Sequence, residues 1–177
     1  MSLTAKNITR ALKEYPQICE LMKTAFPADE QLPMWLLRLG TLRRNFNFRA
    51  FYDEEQFCGI MYTVESEKML FVLFLAVNDK IRSKGYGSKI LGWLKENTAK
   101  PIALNVESPD PQAENALQRE KRIEFYKRNG IVDTGRRLTN RGVNLSVLSN
   151  ADTFDVQEYE RLISSMALGL QKVRTTD

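Results

Sequence analysis

Histidine is absent from the 177 residues. That removes histidine-based catalytic triads, histidine metal sites and the commonest general base, so any proton chemistry falls to Tyr, Glu, Asp, Lys or Cys. Cysteine is scarce as well. Cys19 and Cys58 each sit in an apolar setting, with neither metal-like nor redox-like spacing, and both read as reduced core residues. Long hydrophobic runs are missing: the longest, Met69 to Val77, has nine residues, against the roughly 20 that a membrane-spanning helix needs. The first residues hold no apolar stretch of signal-peptide length. Glycine and proline, nine and six in number, are dispersed, with no repeat or low-complexity tract. These absences predict a cytoplasmic protein with no membrane partner and no metal.

Apolar side chains make up 43% of the chain, enough to bury a continuous core, and the length suits one domain spanning 1–177. The net charge of +4 suits an anionic cofactor, an acidic substrate or nucleic acid and does not choose among them. The best basic patch with interleaved aromatics, Leu42 to Arg49, is equally a solvated helix end running into a strand. No nucleic-acid partner is expected.

A short extended segment, Thr4 to Thr9, precedes apolar positions Leu12, Tyr15, Ile18, Cys19, Met22 and Phe26, whose spacing marks one helix face, with Pro16 placed near its first turn. Pro33 opens a second helix. Three strand-like runs follow, Phe48 to Tyr52, Phe57 to Val64 and Met69 to Val77, joined by connections short enough for antiparallel neighbours. The third lacks polar alternation and reads as a central strand. Ile90, Leu91 and Leu94 then mark a helix, Pro101 to Val106 a strand, and Ala113 to Asn129 a helix ending at Gly130. Ile131 to Asp133 and Val143 to Leu148 read as two more strands around a loop at Arg136 to Gly142. The core spans about 1–150. A stripe of Val156, Tyr159, Ile163, Met166 and Leu170 predicts a C-terminal helix over about 153–171, which either covers a sheet face or makes a homodimer contact.

Where the apolar strand passes through Asn78-Asp79-Lys80-Ile81 into Arg82-Ser83-Lys84-Gly85-Tyr86-Gly87-Ser88 and a helix, successive backbone N–H groups converge on one point. The helix dipole, Arg82 and Lys84 make that point attractive to an anion, and glycines allow close approach. The spacing is neither that of a nucleoside-triphosphate loop nor that of a Rossmann turn. The chain resembles the GNAT superfamily of acyl-CoA-dependent N-acetyltransferases. Phe74 to Asn78 with Arg82 to Gly87 look like that family's central strand and pyrophosphate loop. Phe125-Tyr126-Lys127-Arg128-Asn129-Gly130-Ile131 looks like its late aromatic-glycine signature.

The resemblance implies an α/β (α+β) fold: a mixed, mostly antiparallel sheet of six to seven strands flanked by helices, here with an extra C-terminal helix. It implies acetyl-CoA as cosubstrate, its pyrophosphate on Arg82 to Ser88 and its pantetheine on the backbone of Leu75, Ala76 and Val77. Tyr126 matches the family tyrosine that protonates the departing thiolate; a phenol, with a reference pKa near 10, is a donor at neutral pH. Glu107, at the end of a strand, is a candidate base or substrate-orienting carboxylate. The sequence departs from the family pattern where an asparagine is usual seven residues before the tyrosine. Arg119 stands there, with Asn115 a turn earlier, and both are candidate cofactor contacts; Arg122 joins them as a cation for phosphate or carboxylate. Ile131 replaces the usual phenylalanine. The expected activity is acetylation of a primary amine of a small molecule, with a protein or peptide acceptor, or a non-catalytic CoA-binding domain, as alternatives.

Overall fold

The computed structural model describes residues 3–28, 30–81, 84–140, 142–166 and 174–176. Its seven strands form one sheet in the order β1-β2-β3-β4-β5-β7-β6. By its internal contacts the chain divides into two compact units, Met1–Thr63 with Leu73–Ala99, and Val64–Val72 with Lys100–Asp177.

The first unit holds β1 (Thr4–Asn7), α1 (Tyr15–Ala25), α2 (Met34–Gly40), β2 (Phe46–Asp53), most of β3 (Gln56–Glu65), the later half of β4 (Leu70–Val77) and α3 (Tyr86–Glu96). Pro16 lies in the first turn of α1, where its missing N–H costs nothing. Ile18, Leu21 and Met22 of that helix are buried, as the apolar spacing requires. β1 runs antiparallel to β2, with Thr4 opposite Tyr52 and Asn7 opposite Arg49. Aromatic side chains fill the core: Phe48 meets Tyr62 edge-on at 5.2 Å between ring centroids, and Phe51 meets Trp93 of α3 at 5.1 Å. The Tyr62 hydroxyl donates to the Leu37 carbonyl at 3.1 Å and ties α2 to β3.

In the second unit, Leu70–Val72 of β4 pair in parallel with Ile102–Leu104 of β5 (Ile102–Glu107). β5 pairs antiparallel with β7 (Val143–Ser149), and β7 with β6 (Val132–Asn140). Helices α4 (Ala116–Arg128) and α5 (Val156–Met166) complete the unit. Gly130 at φ 68° ends α4 in the left-handed conformation expected from the sequence. The expected mixed α/β sheet with flanking helices is therefore present, and the parallel β4–β5 register makes it mixed.

β6 differs from expectation. The sequence predicts a strand of Ile131 to Asp133 followed by a loop, whereas β6 continues to Asn140. Gly135, at φ 81°, sits inside the strand, where the β6–β7 register shifts between Asp133 and Arg137. A bulge absorbs the irregular residue and pairing resumes. α5 turns its stripe inward: Tyr159, Leu162 and Ile163 are buried. Tyr159 lies 6.0 Å from Phe71 and donates its hydroxyl to Asn105 Oδ1 at 2.8 Å. That matches the use of this helix as a cover; the predicted continuation over 167–171 lies outside the described residues. No helix among the described residues is long and apolar enough to cross a membrane.

Candidate functional site

The candidate cofactor turn belongs to the first unit. Along the later half of β4, Phe74 and Ala76 are buried while Leu75 and Val77 are half-buried. Asn78 closes the strand. Its side-chain amide donates to the Phe57 carbonyl at 2.9 Å, and its backbone N–H donates to the Cys58 carbonyl at 2.8 Å. Its own Oδ1 accepts from the Lys80 N–H at 3.2 Å, which opens the short helical turn Asp79–Ile81. Arg82 and Ser83 lie outside the described residues.

Gly85 stands at φ 75°, ψ 10° as the residue before α3, a left-handed conformation that disfavours any residue with a Cβ. A Cβ added there would meet nothing within 4 Å. The glycine is needed for its φ, and the space beside it is open. The first α-helical bond of α3 runs from the Lys89 N–H to the Gly85 carbonyl at 3.1 Å, and no side chain caps the helix. Tyr86, Gly87 and Ser88 form the first turn of α3, where the N–H groups of a helix have no partner within the helix. With exposed Lys84 beside them, they form a positive helix terminus suited to phosphate.

Tyr86 contributes to this turn through its backbone, because its side chain is committed elsewhere. Its hydroxyl donates to Asp53 Oδ2 at 2.9 Å, and Lys89 lies 3.6 Å from the same oxygen and over the Tyr86 ring at 4.6 Å. The hydrogen bond to the Asp53 carboxylate, aided by burial, pushes the phenol up to about 12. Gly59 of β3 supports the strand behind the turn: a Cβ there would collide with the Ala76 carbonyl oxygen. Asp53, Gly59, Asn78 and Lys89 escaped the sequence-based set of site residues. Their partners lie up to 36 positions away, as Lys89 does from Asp53, and only the pairing of strands brings them together.

The second unit gathers Glu107, Asn115 and Arg119, as well as Arg122. Arg119 Nη2 lies 2.9 Å from Glu107 Oε1, and Arg122 Nη1 lies 3.2 Å from Oε2. The Asn115 amide donates to both oxygens, at 3.3 and 3.1 Å. Arg119 also donates to Asn115 Oδ1 at 2.7 Å and to the Ser108 carbonyl at 3.1 Å. Asn115 and Arg119 were expected to face a cofactor; in this structure both are engaged with Glu107.

Tyr126 is 8% exposed, and burial pushes its phenol up to about 12, with the positive charge of Arg122 acting in the opposite direction. The hydroxyls of Tyr52, Tyr62, Tyr86 and Tyr159 donate to Glu14, Leu37, Asp53 and Asn105. Among the described residues, no group meets the hydroxyl of Tyr126.

No protein-family model matches the chain, and the comparison with curated proteins finds no match. Solved structures do match. A protein described as an acetyltransferase of the GNAT family, from Bacteroides thetaiotaomicron, superposes with a TM-score of 0.74 at 24% identity, over 95% of this chain and 99% of that one. An aminoglycoside 6'-N-acetyltransferase in complex with coenzyme A gives 0.61 at 14% identity, over 86% and 99%. Arabidopsis thaliana Naa50, in complex with the bisubstrate analogue CoA-Ac-MVNAL, gives 0.60 at 17% identity, over 85% and 99%. At these identities the likeness is one of fold, and the fold is that of the GNAT acetyltransferases.

Proposed function

We propose that the chain is a GNAT-superfamily N-acetyltransferase that forms one catalytic domain and transfers acetyl from acetyl-CoA to a primary amine of a small molecule. The observation that carries this reading is the Tyr126 side chain, 8% exposed and with no hydrogen bond from its hydroxyl to a described residue, at the position of the family tyrosine. The uncapped N-terminus of α3 supports it, with Lys84 to Ser88 binding the pyrophosphate and the backbone of Leu75, Ala76 and Val77 binding the pantetheine. Arg82 and Ser83 complete that loop by the resemblance.

In the proposed reaction the neutral amine attacks the thioester carbonyl, forming the C–N bond, and the C–S bond then breaks. The excess proton on nitrogen leaves to water. Tyr126 gives its proton to the departing sulfur, so free CoA leaves as a thiol and the phenolate is reprotonated from solvent. A phenol at about 12 holds its proton more tightly than a simple thiol, whose reference value is about 8.5. Transfer therefore depends on a nearby positive charge that favours the phenolate.

Acetylation of a peptide or protein amine is the second reading. It is favoured by Trp35, Leu36, Leu39 and Leu42, large apolar side chains that stay exposed on and just after α2. An assay of free CoA release separates these readings. The panel holds amino acids, polyamines, aminoglycosides, arylalkylamines and short peptides, each run with wild type and Tyr126→Phe. Turnover of a small amine is expected, with kcat reduced about 100-fold in the variant, within the range of a lost general acid. Wild-type protein that binds acetyl-CoA yet acetylates nothing in the panel overturns the catalytic reading in favour of a CoA-binding domain.

A further inference from the structure

Helices dock on sheets through an apolar stripe, and α4 barely has one. Among its thirteen residues only Tyr126 is buried. By contrast, α3 buries Tyr86, Ile90, Leu91 and Leu94. What α4 carries instead is a polar face. Asn115 precedes the helix, and Arg119, Arg122 and Tyr126 follow at intervals of four, three and four, the spacing of one helix face. The first three of these converge on a single carboxylate, Glu107, the last residue of β5.

We infer that Glu107 is a latch that docks α4 on β5 and so fixes Arg122 and Tyr126, acting as a positioning residue and not as the acceptor of the amine proton. The inference rests on the reading of Tyr126 as the acid. Both Glu107 oxygens already accept charge-assisted bonds: Oε1 from Arg119 at 2.9 Å, and Oε2 from Arg122 at 3.2 Å. The side chain is 13% exposed. With the Asn115 amide also donating to both oxygens, a proton arriving there would have to displace one of these donors. Arg119 is fully spent on the latch, its three nitrogens going to Asn115, the Ser108 carbonyl and Glu107.

Arg122 is different. It commits one nitrogen to Glu107, and its charge acts on the Tyr126 phenol one turn further along the helix. As the phenol O–H bond breaks and the S–H bond of CoA forms, negative charge develops on the phenolate oxygen, and the guanidinium stabilises it. Glu107 is the hydrogen-bond acceptor that the described residues offer that long side chain, which is 36% exposed.

The test is a double-mutant cycle with Glu107→Gln and Arg122→Gln, using acetyl-CoA and the panel amine of highest turnover. Each single variant is expected to lower kcat about tenfold, with KM for acetyl-CoA unchanged within twofold. The double variant should be no slower than the worse single one, because the two residues act through one chain. Arg122→Lys, which keeps the charge, should recover most of the rate, and this contrast with Arg122→Gln carries the test if Glu107→Gln does not fold. The acidic limb of the kcat/KM profile should survive in Glu107→Gln; its disappearance makes Glu107 the base and overturns the latch. Multiplicative losses in the double variant, or unchanged kcat in the single ones, overturn it too. An impaired Tyr126→Phe beside an unimpaired Glu107→Gln sinks the latch alone, while a fully active Tyr126→Phe removes the acid and the latch together.

Discussion

Tyr86 and Tyr126 each lie in one of the two sequence signatures, and the hydroxyl of Tyr86 alone is taken. That of Tyr86 holds the start of α3 against the end of β2 through Asp53. A hydrogen bond to a charged acceptor contributes about 1.5–3 kcal/mol. Tyr86→Phe should therefore lower the stability measured by urea unfolding by about 1–2 kcal/mol, since Asp53 keeps Lys89 as a partner. An unchanged midpoint would show that the bond does not fix the helix start. The importance of both positions was legible in the sequence, because the motif places them beside glycines. Their roles were not: whether a phenol is spent or free depends on a carboxylate 33 residues away. Glu107 shows the same limit. Its place at a strand end was readable, while its convergence with Asn115, Arg119 and Arg122 appears only once α4 lies along β5.

At the scale of elements, the start of α3 concentrates the ligand chemistry, and Gly85 is its hinge point. The left-handed φ of 75° costs an L-residue about 1–2 kcal/mol, and the space beside it is open to a ligand. CoA at about a hundred times its Kd should stabilise the protein by about 2.7 kcal/mol. For a chain of this length that raises the melting temperature by about 5–10 °C. Gly85→Glu should fold at a modestly lower temperature and lose the CoA shift, because its carboxylate would meet the pyrophosphate. A wild-type protein indifferent to millimolar CoA would count against the turn as the site. Helices and central strands were readable from periodicity, whereas β6 was cut short. A glycine in a strand signals a loop or a bulge, and only the partner strand β7 decides which. α4 was found through its motif and its Gly130 terminus, since its burial pattern is weak.

At the scale of the whole molecule, the strands β3 and β4 contribute to both compact units, and one-domain behaviour is the expectation that follows. Buried tyrosines give this expectation a readout. Burial pushes Tyr52, Tyr62 and Tyr126 up to about 12 and raises Tyr159 as well, and Tyr86 is pushed up to about 12 by its bond to Asp53. In the unfolded chain a tyrosine titrates near 10. Below about pH 10 the phenols keep their protons in both states, and their contribution to stability is complete. Between about 10 and 12 the unfolded chain loses protons that the folded one retains, so stability falls as pH rises through that window. These tyrosines are spread over both units. Alkaline titration should therefore show little phenolate absorbance until the helical circular dichroism is lost, with the two signals changing together in one transition. Phenolate appearing near pH 10 with the helical signal intact would mean that these hydroxyls are open to solvent. Two separate losses of helical signal would mean that the units fold independently.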